Sequence, residues 1–227
     1  MARLYPINLK VEGLPVLVVG GGTVALRKVE RLLKAGARVK VVSPSLIPAL
    51  PALGQRAPKG ALRIVRRKFR AADAKGVRLA FACTGDPKAN AGVVAAAREC
   101  GALAQSAGRP EEGDFALPAL IERGEFLLAI STGGASPALS KHLRERLEEI
   151  FPESFGRYVE LLARIRKKLL AQGGPARENA SRFRALVEGK LEAAIRGGDW
   201  QGAGRILEKT LGGDFSLAAL GWKKPPK

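Results

Sequence analysis

Gly20-Gly21-Gly22-Thr23-Val24-Ala25 is the stretch whose residue types and spacing most directly imply chemistry. Glycine, glycine two places on and a small residue three further form the G-x-G-x-x-A pattern of a phosphate-binding turn. Gly20 allows the tight turn, Gly22 lets backbone amides approach a pyrophosphate, and Ala25 lets helix and strand pack closely. A helix beginning just after the glycines offers unpaired N–H groups and a partial positive charge to phosphates. A second such stretch is Ser131-Thr132-Gly133-Gly134-Ala135-Ser136-Pro137, a hydroxyl-rich loop before another helix. There Ser136 and Pro137 read as N-cap and first-turn residue, which leaves Thr132, with Ser131, as the better candidates for binding carboxylates.

The elements that position these residues follow from hydrophobic pattern. Residues 14–19 are apolar and short enough for a buried strand, and 25–33 show a helical stripe ending at Gly36. Residues 37–42 read as a second strand. Further strands are expected at 62–65, 77–83 and 102–105, with a helix over 90–100. This alternation predicts an α/β, Rossmann-type, mostly parallel sheet. Ligands of such sheets bind beyond the strand C-termini, so residues 20–24, 43–45 and 84–86 should converge. From Asp114 the pattern changes to two apolar runs, 115–121 and 126–131, and then a helix with Leu139, Leu143, Leu147 and Ile150 on one side. Residues 155–211 read as helices broken near Gly173-Gly174-Pro175 and Gly197-Gly198, and 223–227 as a basic tail. The expected plan is a nucleotide-binding domain over 1–113, a small middle region over 114–150 and a helical domain over 151–227.

Composition narrows the partners. The 39 Lys and Arg outnumber 21 Asp and Glu, a formal net charge of +18, which calls for an acidic partner. Two Tyr and two Trp make a poor set of base-stacking platforms, and no nucleic-acid recognition module is present. No apolar run is long enough to span a bilayer, and residues 1–10 lack a secretory layout, so a soluble, cytoplasmic chain is expected. Cys83 and Cys100 suit neither a disulfide framework nor a metal knuckle and are expected as reduced thiols in helix or strand interiors. No His/Cys/carboxylate cluster has metal-ligand spacing, so no metal site is expected. His142, the sole histidine, reads more readily as a surface or packing residue than as a catalytic one.

With these residues in view, the chain resembles the precorrin-2 dehydrogenase family, including the corresponding domain of siroheme synthases. The resemblance rests on Y-P-I-N-L from Tyr5, V-V-G-G-G-T-V-A-L-R-K from Val18, A-G-A-R-V-K-V-V-S-P from Ala35, A-C-T-G-D-P from Ala82, P-A-L-I from Pro118, and above all I-S-T-G-G-A-S-P-A-L-S-K from Ile130. It implies NAD-dependent oxidation of precorrin-2, a polycarboxylate tetrapyrrole, to sirohydrochlorin on the way to siroheme. Some members also insert ferrous iron and others do not. It further implies a homodimer whose middle region makes much of the contact. A non-catalytic NAD- or tetrapyrrole-binding protein on the same fold is the competing reading.

The family pattern brings Thr23 and Val24 to the cofactor just after the glycines, and Pro44 and Ser45 beyond the second strand. Gly20, Gly22 and Thr84 join them from sheet geometry, Thr84 alternatively being a turn hydroxyl. Ser43 stands where a ribose-binding acid is expected, so the residues leave NAD and NADP open and the resemblance implies NAD. Relatives carry an aspartate before the middle region; Gly108 occupies that position, and glycine accepts no proton. Asp114, beside the matched Phe115, is the preferred replacement, with Glu111, Glu112 or water as alternatives. Arg109 is the basic residue nearest the expected cleft and is assigned to a substrate carboxylate.

Overall fold

In the computed structural model, which describes residues 4–222, short runs of Val, Leu, Ile and Ala become five strands. They are β1 (Pro15–Val19), β2 (Arg38–Val42), β3 (Leu62–Val65), β4 (Leu79–Ala82) and β5 (Leu103–Ser106). Every pairing is parallel, in the order β3-β2-β1-β4-β5. Parallel strands need crossovers. Helices α1 (Thr23–Lys34), α2 (Ala49–Arg56) and α3 (Pro87–Glu99) provide three of them. β1 is apolar without alternation because both of its faces are buried: Val16 and Val18 pack with Ala25 and Val29 of α1, while Leu17 and Val19 pack with Val93, Val94 and Ala97 of α3. The β3–β4 crossover is pinned by buried Asp73, which accepts from Arg67 at 2.7 and 2.8 Å and pairs with Lys40 at 2.8 Å.

Two features depart from the sequence expectation. Helix α2 has no counterpart in it, because its segment carries Pro48 and Pro51 and reads as a turn; both prolines fall at the helix start, where a missing N–H costs nothing. Cys83 is buried as expected, but Cys100 is exposed at the C-cap of α3, where the chain turns outward through Gly101.

The chain divides into two compact units, residues 1–117 and 118–227. The second opens with an antiparallel hairpin, β6 (Ala119–Arg123) and β7 (Phe126–Ile130), turned at Gly124. Among the described residues five α-helices follow: α4 (Pro137–Ile150), α5 (Glu153–Gln172), α6 (Ala176–Val187), α7 (Leu191–Arg196) and α8 (Trp200–Leu211). The sequence plan separates 114–150 from 151–227, yet both segments fall in this unit apart from the few residues before Pro118. Phe126 of β7, Phe151 and Phe155 explain why, with ring centroids 4.8 to 5.0 Å apart. Aromatic rings this close join hairpin and helix into one core. Gly156 of α5 helps, since a Cβ there would stand 2.8 Å from the Arg123 backbone. A further core forms from Leu161 and Ile165 of α5, Leu186, Leu191 and Ile195, with Leu207 of α8. The basic segment 223–227 lies outside the described residues. Among the described residues no helix is long and apolar enough to cross a membrane.

Candidate functional site

The glycine turn links β1 to α1, and each glycine does something different. Gly20 has a φ of +129°, and a Cβ on it would lie 2.4 Å from the Cys83 carbonyl oxygen at the end of β4. Gly21 runs against the loop after β2, where a Cβ would lie 1.9 Å from the Ser45 oxygen. Those two glycines are required by the protein's own packing. Gly22 is not, because a Cβ there would meet nothing within 4 Å. Gly22 is the N-cap of α1, no side chain caps the helix, and its first turn holds no acidic residue. Thr23 and exposed Val24 follow directly. The helix start therefore presents amides, positive dipole and open room together, the requirements of a dinucleotide pyrophosphate.

The three loops expected to converge do so. Gly20 abuts the end of β4, and Gly21 abuts the Ser43–Ser45 loop, whose exposed members are Pro44 and Ser45. Ser43 is buried and donates its hydroxyl to the Ser45 carbonyl at 2.6 Å, which shapes that loop without offering a carboxylate to a ribose. Beyond β4, Thr84 is held by Asn90. The Asn90 Oδ1 accepts from the Thr84 amide at 3.0 Å and lies 2.8 Å from its hydroxyl, while Asn90 Nδ2 donates to the Thr84 carbonyl at 3.1 Å. Thr84 is thus a turn hydroxyl that also faces the site. Buried Asn90 is the clamp that sequence reasoning missed. Its only sequence signal is an amide one turn into the helix after T-G-D-P. Burial pushes the Cys83 thiol up to about 11, so it stays protonated and inert at neutral pH.

A small cleft opens at the C-terminal ends of β4 and β5, lined among others by Thr84, Asn90, Ser106, Gly108, Arg109 and Glu112. It lies on the sheet edge where open α/β folds bind ligands. At Gly108 a side chain would meet open space. Arg109 is exposed and donates to Glu112 Oε1 at 2.9 Å.

Asp114 does not line this cleft. Its backbone amide donates to the Ala104 carbonyl at 2.7 Å, its Oδ2 accepts from the Ala104 amide at 2.8 Å, and its Oδ1 accepts from Arg98 at 2.9 Å. Burial alone would raise its pKa, but the Ala104 amide and the Arg98 guanidinium outweigh that and hold the carboxyl below its ordinary value. Asp114 is spent as a surrogate strand partner along the edge of β5, which corrects its expected role as proton acceptor.

In the second unit the hydroxyls are likewise committed. Thr132 Oγ1 accepts from the Ser136 amide at 3.0 Å, lies 3.1 Å from the Ser136 carbonyl and 3.3 Å from the Ser140 hydroxyl. Ser131 accepts from the Gly133 amide and Ser136 from the Leu139 amide, each at 3.1 Å. Capping therefore absorbs Thr132 as well as Ser136. His142 is exposed on α4, and among the described residues no group of three or more His, Cys, Asp and Glu is arranged to hold a metal ion.

Known proteins agree with this geometry. A family described as putative NAD(P)-binding matches residues 7–119, and one described as sirohaem biosynthesis protein central matches residues 128–150. The siroheme synthase of Methylococcus capsulatus is 38% identical over 202 residues, 89% of this chain and 42% of its own length. That of Nitrosococcus oceani is 36% identical over 213 residues, 94% of this chain and 45% of its own. The chain thus spans less than half the length of these curated relatives. Among solved structures, the precorrin-2 dehydrogenase SirC superposes with a TM-score of 0.76 at 27% identity, covering 91% of this chain and 98% of that one. The fold, the amide cradle at Gly22 and these matches agree: the chain belongs to the family shared by precorrin-2 dehydrogenases and siroheme synthases.

Proposed function

We propose that this chain is an NAD-dependent dehydrogenase that oxidises precorrin-2 to sirohydrochlorin, a step toward siroheme. The observation that carries the reading is the match to nearly the whole length of a solved precorrin-2 dehydrogenase. The similarity to siroheme synthases over about nine-tenths of this chain points the same way.

Bound NAD supplies the hydride acceptor. The chain's own residues bind and orient. Gly22, Thr23 and Val24 hold the pyrophosphate on the start of α1, with Gly20 setting the turn. Pro44 and Ser45 border the dinucleotide beyond β2, and Thr84 borders it beyond β4. Arg109 pairs with a substrate carboxylate, and Ser131 and Thr132 serve carboxylates through the backbone they shape rather than through free hydroxyls. The net charge of +18 draws a polycarboxylate toward the molecule from a distance. We place the protein in the cytoplasm as a homodimer built on the β6–β7 hairpin, a reading supported by the exposed Leu127 and Ala129 on one face of β7.

One observation favours the competing reading of a non-catalytic binder: Gly108 offers no proton acceptor, and Asp114 is spent elsewhere. An anaerobic absorbance assay with purified protein, precorrin-2 and NAD separates the two. Sirohydrochlorin and NADH appear in equal amounts if the chain is a dehydrogenase. Binding of both ligands without product identifies a carrier. Ferrous iron added afterwards tests metal insertion in the same cuvette.

A further inference from the structure

We propose that Glu112 is the proton acceptor of the dehydrogenation and that Arg109 positions its carboxylate, an inference that rests on the dehydrogenase reading above. Glu112 closes the short 3₁₀ turn Pro110–Glu112 that follows β5. The turn is pinned from behind. The Arg98 guanidinium donates to the Glu112 carbonyl at 2.9 Å while also holding Asp114, and the Glu112 amide donates to the Arg109 carbonyl at 3.1 Å. Its side chain is thereby presented to the cleft beyond β4 and β5.

Two observations single it out. The first is that its two carboxylate oxygens are unequal. Oε1 accepts from Arg109 at 2.9 Å, whereas Oε2 is shielded from solvent and has no donor among the described residues. A buried acceptor left without a donor is costly, so it marks a place where a donor arrives from outside. The second is elimination within the cleft. Its other polar lining groups are hydroxyls, the Asn90 amide and the Arg109 guanidinium, none of which takes up a proton at neutral pH. Gly108 contributes only room.

The reaction needs such a group. One hydrogen leaves the substrate carbon as hydride, with its electron pair, to the oxidised dinucleotide. A second leaves as a proton, and the substrate gains a double bond. Glu112 Oε2 takes that proton, and the carboxylic acid so formed later releases it to solvent. The charged groups around Glu112 are Arg109 and Glu111 on its own turn, Arg98 of α3, and Asp114 beyond.

Glu112→Gln keeps the size of the side chain and removes the base. In the full chain it lowers kcat at least 100-fold, in the range of a lost general base, with KM for precorrin-2 and NADH affinity by fluorescence titration both within threefold. Gly108→Asp added to Glu112→Gln regains at least tenfold, because it returns a carboxylate to the same cleft through open space. The inference is overturned if Glu112→Gln keeps kcat within threefold of wild type, or if Gly108→Asp returns no activity to it. It is equally overturned if kcat, NADH affinity and melting temperature drop together. A wild-type chain that makes no NADH overturns the dehydrogenase reading first, and this inference with it.

Discussion

The molecule contains two strand–glycine–helix junctions that look alike in sequence and behave in opposite ways. At the first, between β1 and α1, the N-cap is Gly22, no side chain caps the helix and open space lies in front of it. At the second, between β7 and α4, Ser136 caps the helix, and Thr132 in turn bonds the Ser136 backbone. The first junction leaves its helix start uncapped by any side chain; the second satisfies its own. Glycine content is therefore not the signal of a phosphate site. The signal is a helix start whose amides the protein declines to satisfy.

The comparison can be broken at the first junction with the largest effect. Gly21→Ala places a Cβ 1.9 Å from the Ser45 oxygen and should cost about 3 kcal/mol of stability, the upper range for overpacking. Denaturant midpoints and NADH titration measure it, and a variant within about 0.5 kcal/mol of wild type with intact binding would show that the loops do not meet. Gly22→Asp is the sharper variant because it converts the first junction into the second kind. A carboxylate at the N-cap should stabilise α1 by about 0.5–1 kcal/mol while lowering NADH affinity about 100-fold, close to 2.7 kcal/mol. A rise in stability without loss of NADH affinity would refute the cradle at Gly22.

At the second junction Thr132→Val removes the hydroxyl that serves Ser136. It should cost about 1–2 kcal/mol and leave NADH affinity unchanged. Unfolding followed by tryptophan fluorescence reads this unit selectively, because Trp200 and Trp222 both lie in it. The smallest effect is acid sensitivity. Asp73, held well below the carboxylate range chiefly by Arg67, and Asp114 both belong to the first unit. Because each titrates lower folded than unfolded, its stabilisation is complete above about pH 4–5 and is lost as pH falls through the folded value. On acid titration, NADH binding should therefore fail before tryptophan fluorescence changes. The reverse order would count against this account of the first unit.

Much of the first unit was legible because local pattern and tertiary context agree there. The strands at 14–19 and 37–42, the glycine turn and the helix after it are each short, apolar or periodic in the way burial on two faces demands. Helix α2 escaped because its prolines carry the same letters as a turn. Asp114 was misread for a related reason. Its neighbour Phe115 matched a family motif, but only the folded edge of β5 shows that both carboxylate oxygens are taken by Ala104 and Arg98. Thr132 was misread because the hydrogen bonds that engage it come from residues four and eight places on, which pack together only once α4 forms.

The sequence by itself determined the α/β sheet, the position of the glycine turn and the family, since these rest on hydrophobic period, on the family motifs and on Gly20 and Gly21, where a Cβ has no room. The tertiary structure decided which polar side chains remain available for chemistry. It removed Asp114 and the Thr132 hydroxyl by satisfying them, and left Gly22 and Glu112 facing open space or lacking a donor. The physical reason is that a side chain's availability depends on what its neighbours accept and donate, and those neighbours are distant in the chain until it folds.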